Sequence, residues 1–201
     1  GGTVQNPIHA LARLLDSMRS AEGKVLVEGF YEDVVTPTPE ERSQIAAVPF
    51  DEAAYREQLG VGELFGEPGY TTRERAWVRP TLEINGIWGG FQGEGVKTVT
   101  PKEAHAKITC RLVADQDPEK ILQQLTAHIR RNVPPGVKVD VHPESATARP
   151  YLVPSDHPGN RAAHAVLEEI YGRPPHHTRM GGTLPVCALL LDLLDVHTVT
   201  F

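Results

Sequence analysis

The sequence predicts a two-layer α+β unit followed by part of a parallel α/β sheet. Three observations carry this expectation. Ala104, Ala106, Ile108, Cys110 and Leu112 alternate with His105, Lys107, Thr109 and Arg111, the period of a strand with one buried and one polar face. Two amphipathic helices, one opening at Asn6 and one at Asp117, can cover such a sheet on one side. Beyond residue 146 the order changes to helix, helix and a short terminal strand, the order of a parallel α/β sheet in part.

The elements follow in order. Asn6 caps a helix with Pro7 at its first position and Ile8, Leu11, Ala12, Leu14 and Leu15 at spacings of three and four, to about Arg19. Lys24 to Glu28 reads as a short strand. Thr38-Pro39-Glu40-Glu41 is a capping box, and a further helix covers Asp51 to Leu59. Residues 60–69 are loop-like, Thr72 to Trp77 a helical turn, and Leu82 to Ile87 a strand. Gly86, Gly89, Gly90, Gly93 and Gly95 then mark backbone held close to something or a mobile loop. After the Ala104–Leu112 strand, Asp117 caps a helix to about Asn132 with Ile121, Leu122, Leu125 and Ile129 inward. Val137, Val139 and Val141 alternate as a strand. Asp156-His157-Pro158 opens a helix that Gly172 ends, Val186 to Leu194 forms another, and His197 to Phe201 is β-rich. The chain divides into residues 1–146 and 147–201.

A length of 201 residues with 40% apolar content suffices for a sizeable core. The formal charge of −6, with no run of five like charges, makes nucleic acid and anionic membranes poor partners. No apolar stretch is long enough to span a bilayer. Cys110 and Cys187, far apart in sequence, read as reduced thiols in a cytoplasmic protein.

Arg111, on the polar face of the best strand, could grip a carboxylate with its guanidinium fork; it could equally pair with a surface acid. Lys97 and Thr98 follow the glycine-rich stretch and could approach an anion or remain solvated. The line RMGGTLPV, residues 179–186, places Gly181, Gly182 and the Thr183 hydroxyl ahead of a helix, a cradle for an anion or carboxylate, with Arg179 adding positive charge. Ordinary capping fits the same residues without a ligand. His176 and His177 are adjacent and point apart in an extended segment, so they make a poor metal pair. No Cys-x-x-Cys, His-Glu-x-x-His or Gly-x-Ser-x-Gly occurs. The sequence offers places to hold an anion, and neither a catalytic nor a metal-ligating residue.

Four stretches then carry a family resemblance: GGTVQNPIHALARLL (1–15), VEGFYEDV (27–34), RPTLEINGIWGGFQGEGVKTVTPKEAHAKITCRLVADQDPEKI (79–121) and RMGGTLPV (179–186). The chain resembles the carnosinase-type dipeptidases of the di-zinc family that includes aminoacylase, succinyl-diaminopimelate desuccinylase and carboxypeptidase G. The resemblance implies that residues 1–146 are most of an inserted lid and dimerisation domain, and 147–201 part of the catalytic domain. It implies a homodimer built through the lid, and hydrolysis of dipeptides or similar small amides bearing a free C-terminal carboxylate. Aminoacylase or deacetylase chemistry on an N-acyl amino acid, or a non-catalytic dimerisation or peptide-binding module, are the alternatives. Two Zn²⁺ or Mn²⁺ ions are implied for the full-length enzyme, with their ligands outside this chain. The chain by itself is expected to hold none and to be inactive. Residue by residue, Arg111 matches the arginine on the peptide carboxylate, and Thr183 matches a hydroxyl, usually serine, that helps hold it. Thr98 matches a lid threonine that reaches the neighbouring subunit's site. The family commonly has Glu where Met180 stands.

Overall fold

The computed structural model describes residues 1–144, 147–179 and 184–201. Its elements are α1 (Pro7–Asp16), α2 (Pro39–Ala47), α3 (Glu52–Leu59), α4 (Thr72–Val78), β1 (Thr81–Gly89), β2 (Ala104–Arg111), α5 (Pro118–Asn132), α6 (Pro158–Tyr171) and α7 (Pro185–Leu194). Local chemistry sets most helix starts. The Asn6 side chain accepts from the Ile8 N–H at 2.9 Å, and the Asp117 carboxylate from the Glu119 N–H at 2.7 Å. At α2 the capping box is complete: Thr38 Oγ1 accepts from the Glu41 N–H at 3.2 Å, and Glu41 Oε2 from the Thr38 N–H at 2.8 Å. Thr71 and Glu74 repeat it at α4. Gly172, in the left-handed region, ends α6 where expected.

β1 and β2 form an antiparallel pair, and among the described residues this is the one sheet. Thr81 faces Arg111 and Gly89 faces Ala104, with a bulge that sets Asn85 and Gly86 against Lys107. The extra residue keeps side-chain parity on both sides of the bulge. Leu82, Ile84 and Ile87 share one face with Cys110, Ile108 and Ala106; Glu83, Thr109, Lys107, Trp88, His105 and Arg111 share the other.

The two helices cover the first face. Leu14, Leu15 and Met18 from α1 and its end, Ile121 and Ile129 from α5, Leu82 from β1, and Val25, Val27 and Phe30 form the core. Ala106, Ile108, Cys110, Leu112, Leu125, Val139 and Val141 pack against it. Gln116, buried in the turn before α5, ties the layers. Its Nε2 donates to the Phe30 carbonyl at 2.8 Å, and its Oε1 accepts from the Val113 N–H at 2.9 Å.

Three expected strands do not form ladders. Residues 24–28 make one isolated bridge, Arg19 to Val25, although Val25 and Val27 are buried and Leu26 is exposed as alternation requires. Val139 and Val141 pack on the core without strand partners. In 197–201 the Thr198 N–H donates to the Tyr151 hydroxyl at 2.6 Å, a side chain in place of a neighbouring strand. Period-two patterning fixes which side chains are buried; a ladder also needs a partner backbone in register. Leu122 is half-buried and lies outside the core cluster.

Candidate functional site

Arg111 is the last residue of β2, paired with Thr81, and exposed on the face away from α1 and α5. Strand alternation dictates this placement, because Cys110 beside it packs toward the core. Burial pushes the Cys110 thiol up to about 11. Among the described residues no carboxylate forms an ion pair with Arg111. Its guanidinium is therefore available to a ligand carboxylate.

Thr98 is exposed in the loop between the strands. The loop stays at the Gly89–Ala104 end of the sheet. Lys97 Nζ lies 4.6 Å from the Phe91 ring centroid, and a Cβ at Gly90, whose φ is +69°, would come within 3.7 Å of Pro101. Trp88 and His105, facing each other across the ladder, stack at the same end with centroids 5.0 Å apart. Arg111 ends the strand at the other extreme. Seven residue steps of about 3.3 Å separate the two ends by roughly 23 Å, several times the length of a dipeptide.

Arg179 donates from Nη2 to Glu41 Oε1, forming an ion pair with a residue of the α2 capping box. The Thr38 N–H first, and then Arg179, hold the Glu41 carboxyl below its ordinary value. Gly182 and Thr183 lie outside the described residues. At the start of α7 the N-cap is Leu184, which offers no side-chain cap, and Pro185 takes the first helical position. His177 Nε2 lies 3.3 Å from His164 Nδ1, so its partner is another ring across the chain and not its neighbour His176.

Sequence reasoning missed a buried two-pronged ion pair. Arg79 donates from Nε and Nη2 to both Glu67 oxygens, each at 2.8 Å, and its guanidinium lies against the Tyr31 and Tyr70 rings at 4.7 and 4.4 Å. The RP dipeptide ahead of β1 gave no sign of an acid twelve residues upstream.

The chain matches the peptidase dimerisation domain family of M20 enzymes over residues 1–137. It belongs to that family. Human Beta-Ala-His dipeptidase is 28% identical over 204 residues, covering 99% of this chain and 40% of that protein. The Cys-Gly metallodipeptidase of Saccharomyces cerevisiae is 28% identical over 207 residues, covering 99% and 42%. Among solved structures, an M20 family metallo-carboxypeptidase from Sulfolobus solfataricus superposes with a TM-score of 0.81 at 30% identity, covering 94% of this chain and 48% of that one. Human carnosine dipeptidase 1 superposes at 0.79 with 27% identity, covering 97% and 42%. The chain thus spans about 40% of the length of these curated dipeptidases.

Metallodipeptidase relatives imply a metal. Among the described residues of this chain, no three His, Cys, Asp or Glu side chains converge on one point. The donor set of the described residues does not fit a two-metal centre. Arg111 presents an exposed guanidinium of the kind that can hold a carboxylate.

Proposed function

We propose that residues 1–146 are the inserted, dimer-forming lid of a metal-dependent dipeptidase and that 147–201 belong to its catalytic domain. Support for the boundary comes from the family match, which stops at residue 137, and from the stretch between α5 and α6, whose described residues form no helix or strand. The substrates are dipeptides or similar small amides with a free C-terminal carboxylate. Arg111 carries this reading: an exposed guanidinium at a strand end, without an acidic partner among the described residues, supported by a rigid two-stranded sheet.

In this reading Arg111 anchors the terminal carboxylate and so sets which amide is presented for hydrolysis. Gly182 and Thr183 complete the anchor. Thr98 comes from the partner subunit of a homodimer, as the resemblance implies; its loop leaves β1 at the end of the sheet opposite Arg111, which supports this reading. The metal ions, two Zn²⁺ or Mn²⁺, are held by residues elsewhere in the enzyme. No helix among the described residues is long and apolar enough to cross a membrane. We place the enzyme in the cytoplasm, in keeping with the free thiols of Cys110 and Cys187.

The test is substrate selection by the full-length enzyme, assayed on a dipeptide, its C-terminal amide and an N-acyl amino acid. Rapid cleavage of the dipeptide and poor cleavage of its amide are expected. Preference for the N-acyl amino acid would move the reading to an aminoacylase, and no hydrolysis of any of the three to a non-catalytic binding module.

A further inference from the structure

The Arg179–Glu41 contact joins residues 138 positions apart, and it stands alone. Among the described residues it is the one ion pair or hydrogen bond between 1–144 and 147–201. The other side-chain bonds of the second part, such as Arg149 to Asp192, Tyr151 to Thr198 and His164 to His177, stay within it. Glu41 is suited to a double task because a carboxylate has two acceptor oxygens. Oε2 takes the Thr38 N–H and completes the helix cap, while Oε1 takes the Arg179 guanidinium. The cap fixes the rotamer, so the second oxygen is aimed before Arg179 arrives.

We propose that Glu41 is a positioning residue: with Arg179 it clasps the inserted domain to the segment that leads into the carboxylate cradle. This rests on the reading of Gly182 and Thr183 given above. Arg179 then serves as the clasp's other half and not as a direct ligand of substrate. A carboxylate supplied from α2 gives Arg179 an acidic partner from across the domain boundary.

Glu41→Gln separates the two tasks. Glutamine also completes a capping box, but its one acceptor oxygen, kept on the Thr38 N–H, turns the amide NH₂ toward the guanidinium, donor against donor. Thr38→Ala does the converse, removing the hydroxyl half of the cap and leaving the carboxylate. Hydrogen exchange of the full-length protein is the first readout. Glu41→Gln should speed exchange in 176–179 while α2 stays protected, and Thr38→Ala should loosen the first turn of α2 and leave 176–179 unchanged. Exchange in 176–179 unaltered by Glu41→Gln would overturn the clasp. Kinetics are the second. Glu41→Gln should raise KM for a free dipeptide roughly fivefold with kcat within about twofold, and leave KM for the C-terminal amide unchanged. Equal changes for both substrates, or none, would overturn the positioning role. A parent enzyme indifferent to the carboxylate would sink the functional reading instead, and the exchange measurement would still decide the clasp.

Discussion

Arg111 and Arg79 are both arginines beside a strand, and they do opposite things. Arg111 is exposed, so replacing it with alanine opens no cavity and should leave stability within about 0.5 kcal/mol. If Arg111 grips the substrate carboxylate as proposed above, the same change in the full-length protein removes a charge-assisted, two-pronged contact. It should cost roughly 2–4 kcal/mol in kcat/KM for a free dipeptide, and little for the amide. Lysine should recover a part only, since a point charge cannot reproduce the fork. Equal slowing of both substrates would make Arg111 a structural residue. Arg79→Ala should instead unfold or strongly destabilise the protein. It strands the Glu67 carboxylate, whose side chain is 13% exposed, at a cost of about 3–5 kcal/mol by urea titration. His128 adds a pH term. Burial lowers its value below the ordinary 6.5, with Arg131 adding to the effect and a hydrogen bond to the Ser17 backbone opposing it. The unfolded chain therefore binds the proton first. Stability should be full above pH 6.5 and fall as pH drops through that value toward the lowered folded one. His128→Gln should flatten urea-midpoint curves in that window. Arg111 was legible in the sequence because alternation alone puts it on the polar face. Arg79 was not, because its burial depends on Tyr31 and on the Glu67–Tyr70 turn arriving from two separate segments.

At the scale of elements, legibility followed the range of the forces involved. The starts of α1, α2, α3 and α5 were readable from Asn6, Thr38, Asp51 and Asp117, since a cap and its N–H lie within three residues. β1 and β2 were both readable; β1 runs one residue earlier and two later than Leu82–Ile87, β2 stops at Arg111, one short of Leu112, and a bulge at Asn85–Gly86 was unforeseen. Residues 24–28, 137–141 and 197–201 have strand-like alternation without ladders, since a ladder is decided by distant backbone. The cap at α5 permits a local prediction. Asp117 accepts from the Glu119 and Lys120 N–H groups at 2.7 and 3.4 Å, so Asp117→Ala should cost about 1 kcal/mol and Asp117→Asn much less. Equal losses for the two variants would mean that charge near the helix end, and not the side-chain acceptor, is what matters.

At the scale of the whole molecule, the sheet face is larger than the helices that cover it. Leu82 is in the core, yet Ile84 and Ile87, on the same face, are 45% and 58% exposed, and Val96 and Val99 in the adjoining loop are 91% and 68% exposed. An apolar strip of this kind along a strand with an open edge suits a second copy of the chain. Full-length protein should therefore be dimeric by light scattering at micromolar concentration, and Ile87→Lys should shift it toward monomer. The proposed sharing of Thr98 and Arg111 between subunits makes a sharper demand. If each site takes Arg111 from one subunit and Thr98 from its partner, then Arg111→Ala and Thr98→Ala chains should rescue each other when coexpressed. In a mixed dimer one site collects both lesions and the other collects none. Random pairing makes half the dimers mixed, so activity should recover to about a quarter of the parent level while either variant alone stays low. Purifying the mixed species with two different tags should raise that to about half. Were both residues to serve the site of their own chain, every site in the mixture would carry one lesion, and no activity would return.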